Sequence, residues 1–322
     1  MSTKAIVFGA TGQDGSFIVD KLLDRGLTVV ACVRKTSSGD LRSLQRSLDL
    51  EKNRGRLILE WFDLKDPTSI YRIIASHRPA YIYNEADQDH VGWSYKIPSY
   101  SVQVTLDSVI NILEAVRLTS PSTKVFLPVS SNIFGSVNEG AVTEESKIAP
   151  VSPYGIAKAA VKHLADFYRE TYDLQLIAGI LFNHESMKRS HAYLSRKLVE
   201  GVLDIASGQS SQLLLGDLDT ELDWGCAEEF SEILIRLMES DFNGAVVVGT
   251  GQLTSVRELV GAAFDVEGLS YEEFVVQDPA LMRPVKMAPI YADTSLLERC
   301  INTKPLKNGV DVILGMLSEA KL

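Results

Sequence analysis

The sequence predicts an α/β fold: a doubly wound parallel sheet carrying a smaller mixed α/β part. Three observations lead there. Short apolar runs alternate with segments of helical period over residues 1–182. A glycine-rich stretch, Gly9-Ala10-Thr11-Gly12-Gln13-Asp14-Gly15, joins the first run to the first periodic segment. No internal repeat, low-complexity tract or Pro/Gly linker interrupts the order. Strand–helix alternation with short connections implies right-handed crossovers, which put helices on both faces of a parallel sheet of Rossmann type.

Taken in order, residues 5–8 read as a buried strand, 12–25 as a helix, 28–33 as a second strand and 57–62 as a third. Asp66-Pro67 is an N-cap followed by proline at the first helical position, opening a helix to about residue 77, and 81–83 follow as a strand. A helix over 102–118, a strand over 125–127, a long helix opened by Ser152-Pro153 and a strand over 176–182 continue the pattern. Past Phe182 the alternation loosens into a polar loop at 183–190, a helix over 192–207 and an apolar stretch at 213–215. The expected division gives 1–182, with a return segment at about 226–250, to the dinucleotide-binding domain. Residues 183–225 and about 251–322 form a smaller substrate-binding part.

Composition narrows the partners. The chain has 322 residues, 45% of them hydrophobic, which is ample for a core, and its formal net charge of −10 opposes binding to a nucleic-acid backbone. A few local Arg and Lys can still hold a small anion. Cys32, Cys226 and Cys300 are an odd number at spacings that fit neither a disulfide framework nor a metal site, so reduced thiols, a cytoplasmic location and no metal are expected. The amino terminus runs into a strand without a signal-peptide core, and no apolar run reaches membrane-spanning length.

The glycine loop follows a strand and opens a helix, the context in which glycines permit a tight turn and close approach to a pyrophosphate. Gly9, Thr11, Gly12, Gln13, Asp14 and Gly15 are therefore candidate cofactor contacts; a purely structural turn is the alternative. An NAD-selective site usually carries Asp or Glu at the end of the second strand, whereas this chain has Arg34-Lys35-Thr36-Ser37-Ser38. Two cations and three hydroxyls, with Arg34, Lys35 and Ser37 foremost, suit a 2′-phosphate and favour NADP over NAD; a solvated basic loop is the plain alternative. Tyr154-Gly155-Ile156-Ala157-Lys158 puts a phenol and an ammonium on one helical face, where the cation can lower the phenol's pKa so that it takes a hydroxyl proton as hydride leaves.

With these stretches and Ser130-Ser131 in hand, the chain resembles the extended short-chain dehydrogenase/reductases, and among them the GDP-mannose 4,6-dehydratases. Gly9–Gly15, Val33 to Ser38, Ser-Pro-Tyr-Gly-Ile-Ala-Lys at 152–158 and Ile-Leu-Phe-Asn-His-Glu-Ser at 180–186 carry the likeness. Asp-Trp-Gly at 223–225, Ser-Val-Arg-Glu at 255–258 and Arg283-Pro284 extend it. The resemblance implies that Asp63 and Leu64 flank an adenine, Lys158 holds the nicotinamide ribose, and His184 and Arg189 lie near the cofactor. It also implies that Asn183, Lys197 and Arg283 contact a nucleotide-diphosphate sugar, a GDP-sugar being favoured, and that the helices near 102–118 and 154–169 pair in a homo-oligomer, burying Val109, Leu113 and Val116.

Three departures bear on the chemistry. Where the family reads Ser-Thr-Ser-Glu-Leu-Tyr-Gly, this chain has Val129-Ser130-Ser131-Asn132-Ile133-Phe134-Gly135. Ser130 can still bond the substrate's C4 oxygen, but Asn132 stands for the glutamate that takes the C5 proton and helps water leave, and an amide does neither. The family's Asn-Leu-Gly-Ala-Gln-Ser-His-Val becomes Asn84-Glu85-Ala86-Asp87-Gln88-Asp89-His90-Val91, adding three carboxylates; Asp87 or Asp89 is a candidate replacement base near the substrate, solvated or capping acids being the alternative. Leu222 stands where the family has arginine. Family behaviour implies NADP-dependent oxidation at C4 with 4,6-dehydration. Asn132 points instead to a C4 epimerase, 4-keto reductase or dehydrogenase, and a silent NADP-binding relative is the third reading.

Overall fold

The computed structural model describes residues 3–35, 40–282, 285 and 288–321. Its strands are β1 (Lys4–Phe8), β2 (Thr28–Val33), β3 (Leu57–Trp61), β4 (Tyr81–Asn84), β5 (Lys124–Ser130), β6 (Gly140–Val142), β7 (Leu176–Leu181), β8 (Asn183–Glu185), β9 (Leu213–Leu215), β10 (Glu221–Cys226), β11 (Gly244–Val248), β12 (Leu253–Ser255), β13 (Val275–Gln277) and β14 (Ile290–Ala292). Its helices are α1 (Gln13–Asp24), α2 (Gln45–Asp49), α3 (Pro67–His77), α4 (Val91–Lys96), α5 (Pro98–Thr119), α6 (Pro153–Tyr172), α7 (Leu194–Ala206), α8 (Ala227–Glu239), α9 (Val256–Val266), α10 (Tyr271–Phe274), α11 (Ser295–Ile301) and α12 (Gly309–Ala320).

Seven parallel strands form one sheet in the order β11-β7-β5-β4-β1-β2-β3. The period-2 alternation of each strand supplies two cores. Ile6 and Phe8 of β1 pack with α3, α5 and α6, while Ala5 and Val7 of the same strand pack with α1 and α8. Each fully buried Ile, Leu or Phe stabilises the fold by about 1.5–3 kcal/mol relative to exposure. A third cluster, built from α7, α9, α12 and β10, holds the smaller part together around Trp224 and Phe264.

The sheet's order positions the site. The chain runs β1 to β2 to β3 in one direction and then crosses to β4 on the other side of β1. At such a switch point the loops leaving the two central strands diverge and open a crevice beyond the carboxyl ends. The glycine loop after β1 and the acidic loop after β4 meet there, with Gly9 packed directly against the Glu85 backbone.

Several expected bounds shift. The helix expected over 102–118 begins at Pro98, which takes the first helical position, and the short α4 precedes it, capped by His90 Nδ1 accepting from the Trp93 amide. The helix expected over 192–207 is Leu194–Ala206. One expectation fails outright. Val109, Leu113 and Val116 lie fully inside the chain's own core, because α5 turns that stripe toward the sheet, so they cannot form a face between subunits. The apolar side chains that α5 and α6 do expose include Ile110, Leu118, Ile156 and Phe167. Among the described residues, no helix is long and apolar enough to cross a membrane.

Candidate active site

The glycine loop is shaped for close backbone approach. Gly9 has φ +74°, and a Cβ there would lie 2.6 Å from the Glu85 carbonyl oxygen; a Cβ on Gly15 would lie 2.3 Å from the Gly9 oxygen. Only glycine lets the turn, the start of α1 and the β4 loop share this space. Gly12 caps α1 without a side-chain bond, so the first-turn amides are open to an anion such as a pyrophosphate. Thr11 is fixed from outside, its carbonyl accepting from Ser43 Oγ at 2.9 Å. Arg34 and Lys35 are exposed at the end of β2. Ser37 lies outside the described residues, as does Arg283. Asp63 is exposed and bonds the Lys65 amide at 2.9 Å, while Leu64 packs half-buried against the core. This end of the crevice fits a dinucleotide.

Gln13 and Asp14 tie the loop to the segment after β7. Gln13 Nε2 donates to the His184 carbonyl (3.1 Å), and Ser186 Oγ donates to Gln13 Oε1 (2.9 Å). His184 Nε2 lies 3.0 Å from Asp14 Oδ2 and its Nδ1 lies 2.7 Å from the Phe182 carbonyl oxygen. Both ring nitrogens therefore meet acceptors, an arrangement that only the imidazolium satisfies. Burial disfavours both charges, yet the pair prevails: Asp14 is held below its ordinary range by His184 and Arg189, and His184 above its own by Asp14. The imidazole also stacks on Phe230, centroids 4.5 Å apart.

The loop after β4 carries the added carboxylates to different ends. Glu85 Oε1 is buried without a hydrogen-bond partner, and burial, reinforced by Asp14, pushes the carboxyl up to about 8 against His184 and Lys158. Asp87 Oδ2 lies 2.6 Å from Lys158 Nζ, and its Oδ1 accepts from Thr105 Oγ1 at 2.5 Å and from the Gln88 amide at 2.7 Å. Asp89 accepts from Tyr193 at 2.7 Å and lies 3.4 Å from Arg189, whose guanidinium covers the Tyr193 ring. Arg189 Nε in turn lies 3.4 Å from Glu185, which accepts from Ser195 at 2.6 Å.

Tyr154 and Lys158 are both buried in the first turns of α6, which Ser152 caps by accepting from the Gly155 amide. Lys158 also donates to the Pro128 carbonyl at 2.8 Å, and its ammonium sits 5.7 Å from the Tyr154 ring centre. Ser130 ends β5, and its Oγ accepts from both the amide (3.2 Å) and the side chain (3.0 Å) of Asn132.

Next to this group lies a cleft lined by Ser131, Asn132, Phe182, Asn183, Leu222, Asp223 and Ile290. Asn183 Nδ2 bonds the Asp223 carbonyl at 3.4 Å. Asp223 is the one carboxylate among these lining residues, and it is fully buried, accepting from the amides of Thr250, Gly251 and Ala292 and from Thr250 Oγ1. It stitches β10 to its neighbours and is not free to move protons. Asp87 is engaged by Lys158 and is not among the lining residues. Lys197 is half-buried on α7 and makes no ion pair among the described residues.

Sequence reasoning missed Thr105, Tyr193 and the isolation of Glu85. Thr105 lies on α5 and no local spacing links it to Asp87. The carboxylates themselves were visible as departures, but their different fates depend on what each one meets: Lys158 of α6 for Asp87, Arg189 of the loop before α7 for Asp89 and no hydrogen-bond partner for Glu85 Oε1.

A family described as GDP-mannose 4,6 dehydratase matches residues 6–310. GDP-mannose 4,6 dehydratase 1 of Arabidopsis thaliana is 31% identical over 324 residues, covering 99% of this chain and 89% of the relative. Among solved structures, a double mutant of DesIV, a dTDP-glucose 4,6-dehydratase of Streptomyces venezuelae with NAD bound, superposes with a TM-score of 0.85 at 21% identity, covering 98% of this chain and 96% of the other. RMD of Pseudomonas aeruginosa, complexed with NADPH, superposes with a TM-score of 0.82 at 19% identity over 100% of both chains.

Proposed function

The chain belongs to the GDP-mannose 4,6-dehydratase family, and from that premise and the contents of its cleft we propose that it is an NADP-dependent enzyme that moves hydride at C4 of a nucleotide-diphosphate sugar without eliminating water. The observation that carries this reading is Asn132. It occupies the glutamate's place in the family motif and spends its amide on Ser130. The neighbouring cleft offers no free carboxylate among its described residues to take the C5 proton instead.

A bound nicotinamide dinucleotide supplies the hydride acceptor or donor. The chain supplies the proton path and the orientation. Asn132 donates twice to Ser130 Oγ and so leaves the hydroxyl's own proton for the C4 oxygen. Tyr154, next to that hydroxyl, exchanges the proton of the C4 oxygen. Arg34 and Lys35, with no carboxylate at the end of β2, support NADP over NAD. The names of relatives such as the Arabidopsis protein favour a GDP-sugar, while Leu222 in place of the family's arginine counts against GDP-mannose itself.

Incubation with GDP-mannose and other nucleotide sugars, followed by nicotinamide absorbance and product mass, tests the reading. We expect a 4-keto species or exchange of hydride at C4 with no loss of water, and a fall of about 10²-fold or more in Tyr154→Phe. A robust 4-keto-6-deoxy product would overturn it.

A further inference from the structure

Lys158 sits between two groups it could serve, and the geometry gives it to one. Its ammonium contacts Asp87 at 2.6 Å with the side chains only 5% and 8% exposed, and Asp87 is pinned in place by Thr105 and the Gln88 amide. An ammonium closed into an ion pair presents a dipole to its surroundings, and its pull on a neighbouring phenolate is largely cancelled by the carboxylate beside it. The resembled family has alanine at this position, so the pair is a property of this chain. We propose that Asp87 is a positioning residue that ties up the Lys158 charge, so that Tyr154 serves as a proton donor and the site reduces a 4-keto nucleotide sugar, with a reduced nicotinamide dinucleotide as hydride source.

The inference rests on the C4 hydride chemistry proposed above and gives it a direction. In the step, hydride adds to C4 as the carbonyl π bond breaks, and the phenol's O–H proton passes to the C4 oxygen. An alcohol is formed, the dinucleotide is oxidised, and the phenolate recovers its proton from water. Oxidation needs the phenolate first. The groups facing Tyr154 are Lys158 from its own helix, Asp87 and Asp89 from the loop after β4, Ser130 from β5 and Tyr193 ahead of α7; Glu85 acts on Lys158, and Arg189 on Asp89. Burial comes first among the effects, and together with Asp87 and Asp89 it outweighs Lys158 and Ser130, leaving the phenol above its ordinary range.

The test begins without substrate or cofactor. Phenolate absorbance is titrated in the native protein and in Tyr154→Phe, the difference giving Tyr154 alone, and the pair of titrations is repeated with Asp87→Asn. The Tyr154 midpoint should fall by about one pH unit or more once Lys158 is unpaired. Asp87→Ala, the residue of the resembled family beside the same lysine, serves if the asparagine variant folds poorly, and Asp87→Glu should restore the native midpoint. With NADPH and a 4-keto nucleotide sugar, the alkaline limb of kcat/KM should move down by the same interval, and the limb on which oxidation of the alcohol rises with pH should move down with it. An unmoved midpoint in the folded variants overturns the proposal whatever the enzyme does. A moved midpoint with the pH limbs of hydride transfer left in place overturns the assignment of Tyr154 as the proton donor. A moved midpoint with no hydride transfer to any nucleotide sugar would overturn the reaction itself and leave the hold of Asp87 on Lys158 standing.

Discussion

The loops after β1 and β4 pack side by side at the carboxyl ends of adjacent strands, and they handle negative charge in opposite ways. The first keeps the family's Gly-x-x-Gly-Gln-Asp-Gly, and its buried carboxylate, Asp14, is matched by His184 at 3.0 Å. The second replaces apolar and small residues with Glu85, Asp87 and Asp89, of which two find cations and one does not. The end that would take phosphates is built as a relative would build it, whereas the end that would move the proton has its cation already engaged.

The largest expected effect breaks the second loop's main pair. Lys158→Ala leaves Asp87 buried with only neutral hydrogen-bond partners, and removal of one member of a buried pair costs about 3–5 kcal/mol. The double variant Lys158→Ala/Asp87→Ala should recover most of that loss, because no charge is then stranded. Denaturant unfolding of the two variants checks it; equal destabilisation of both would mean that the lysine's packing, not its charge, matters at this position.

Glu85 sharpens the comparison through pH. Its carboxyl is raised to about 8 in the fold from 4.5, so between those values the folded chain holds a proton that the unfolded chain has released. Stability must then fall as pH rises through that window, by up to about 1.4 kcal/mol per unit, and the contribution is absent below it. Glu85→Leu, which restores the resembled family's residue, removes the cost. The gap in unfolding free energy between variant and native protein should widen by about 2–4 kcal/mol from pH 5 to pH 8. A gap independent of pH would mean that Glu85 has a partner in solution.

Much of the fold was legible because it depends on local pattern: the Asp66-Pro67 and Ser152-Pro153 helix starts, and apolar runs too short for helices, mark the sheet's order of elements. The candidate site was legible as a set of residues for the same reason, since the glycine loop, Tyr154, Lys158 and Asn132 each sit in a motif. Their pairings were not. Lys158 meets Asp87, which Thr105 holds from α5, and sequence spacing carries no record of that contact. Val109, Leu113 and Val116 show the same limit, since an apolar stripe on a helix does not say whether a sheet or a second subunit covers it.

The smallest effect should fall on the intact side of the crevice, at the far end of the cofactor. Arg34 is exposed after β2, the strand whose last residue, Val33, is followed by a cation where NAD-selective sites place an acid. Its guanidinium can bond a 2′-phosphate but has no charged group to meet on a ribose hydroxyl. Arg34→Ala should therefore weaken NADP by about 1.5–3 kcal/mol, the range for hydrogen bonds to charged groups, and leave NAD almost unchanged. Because the contact is exposed, the preference should also shrink as salt rises, which loss of a buried contact would not reproduce. Fluorescence titration of both dinucleotides at two ionic strengths decides the matter. Equal weakening of NAD and NADP would assign Arg34 to the loop's own structure, and the chain's choice of cofactor would then have to be made elsewhere than at the end of β2.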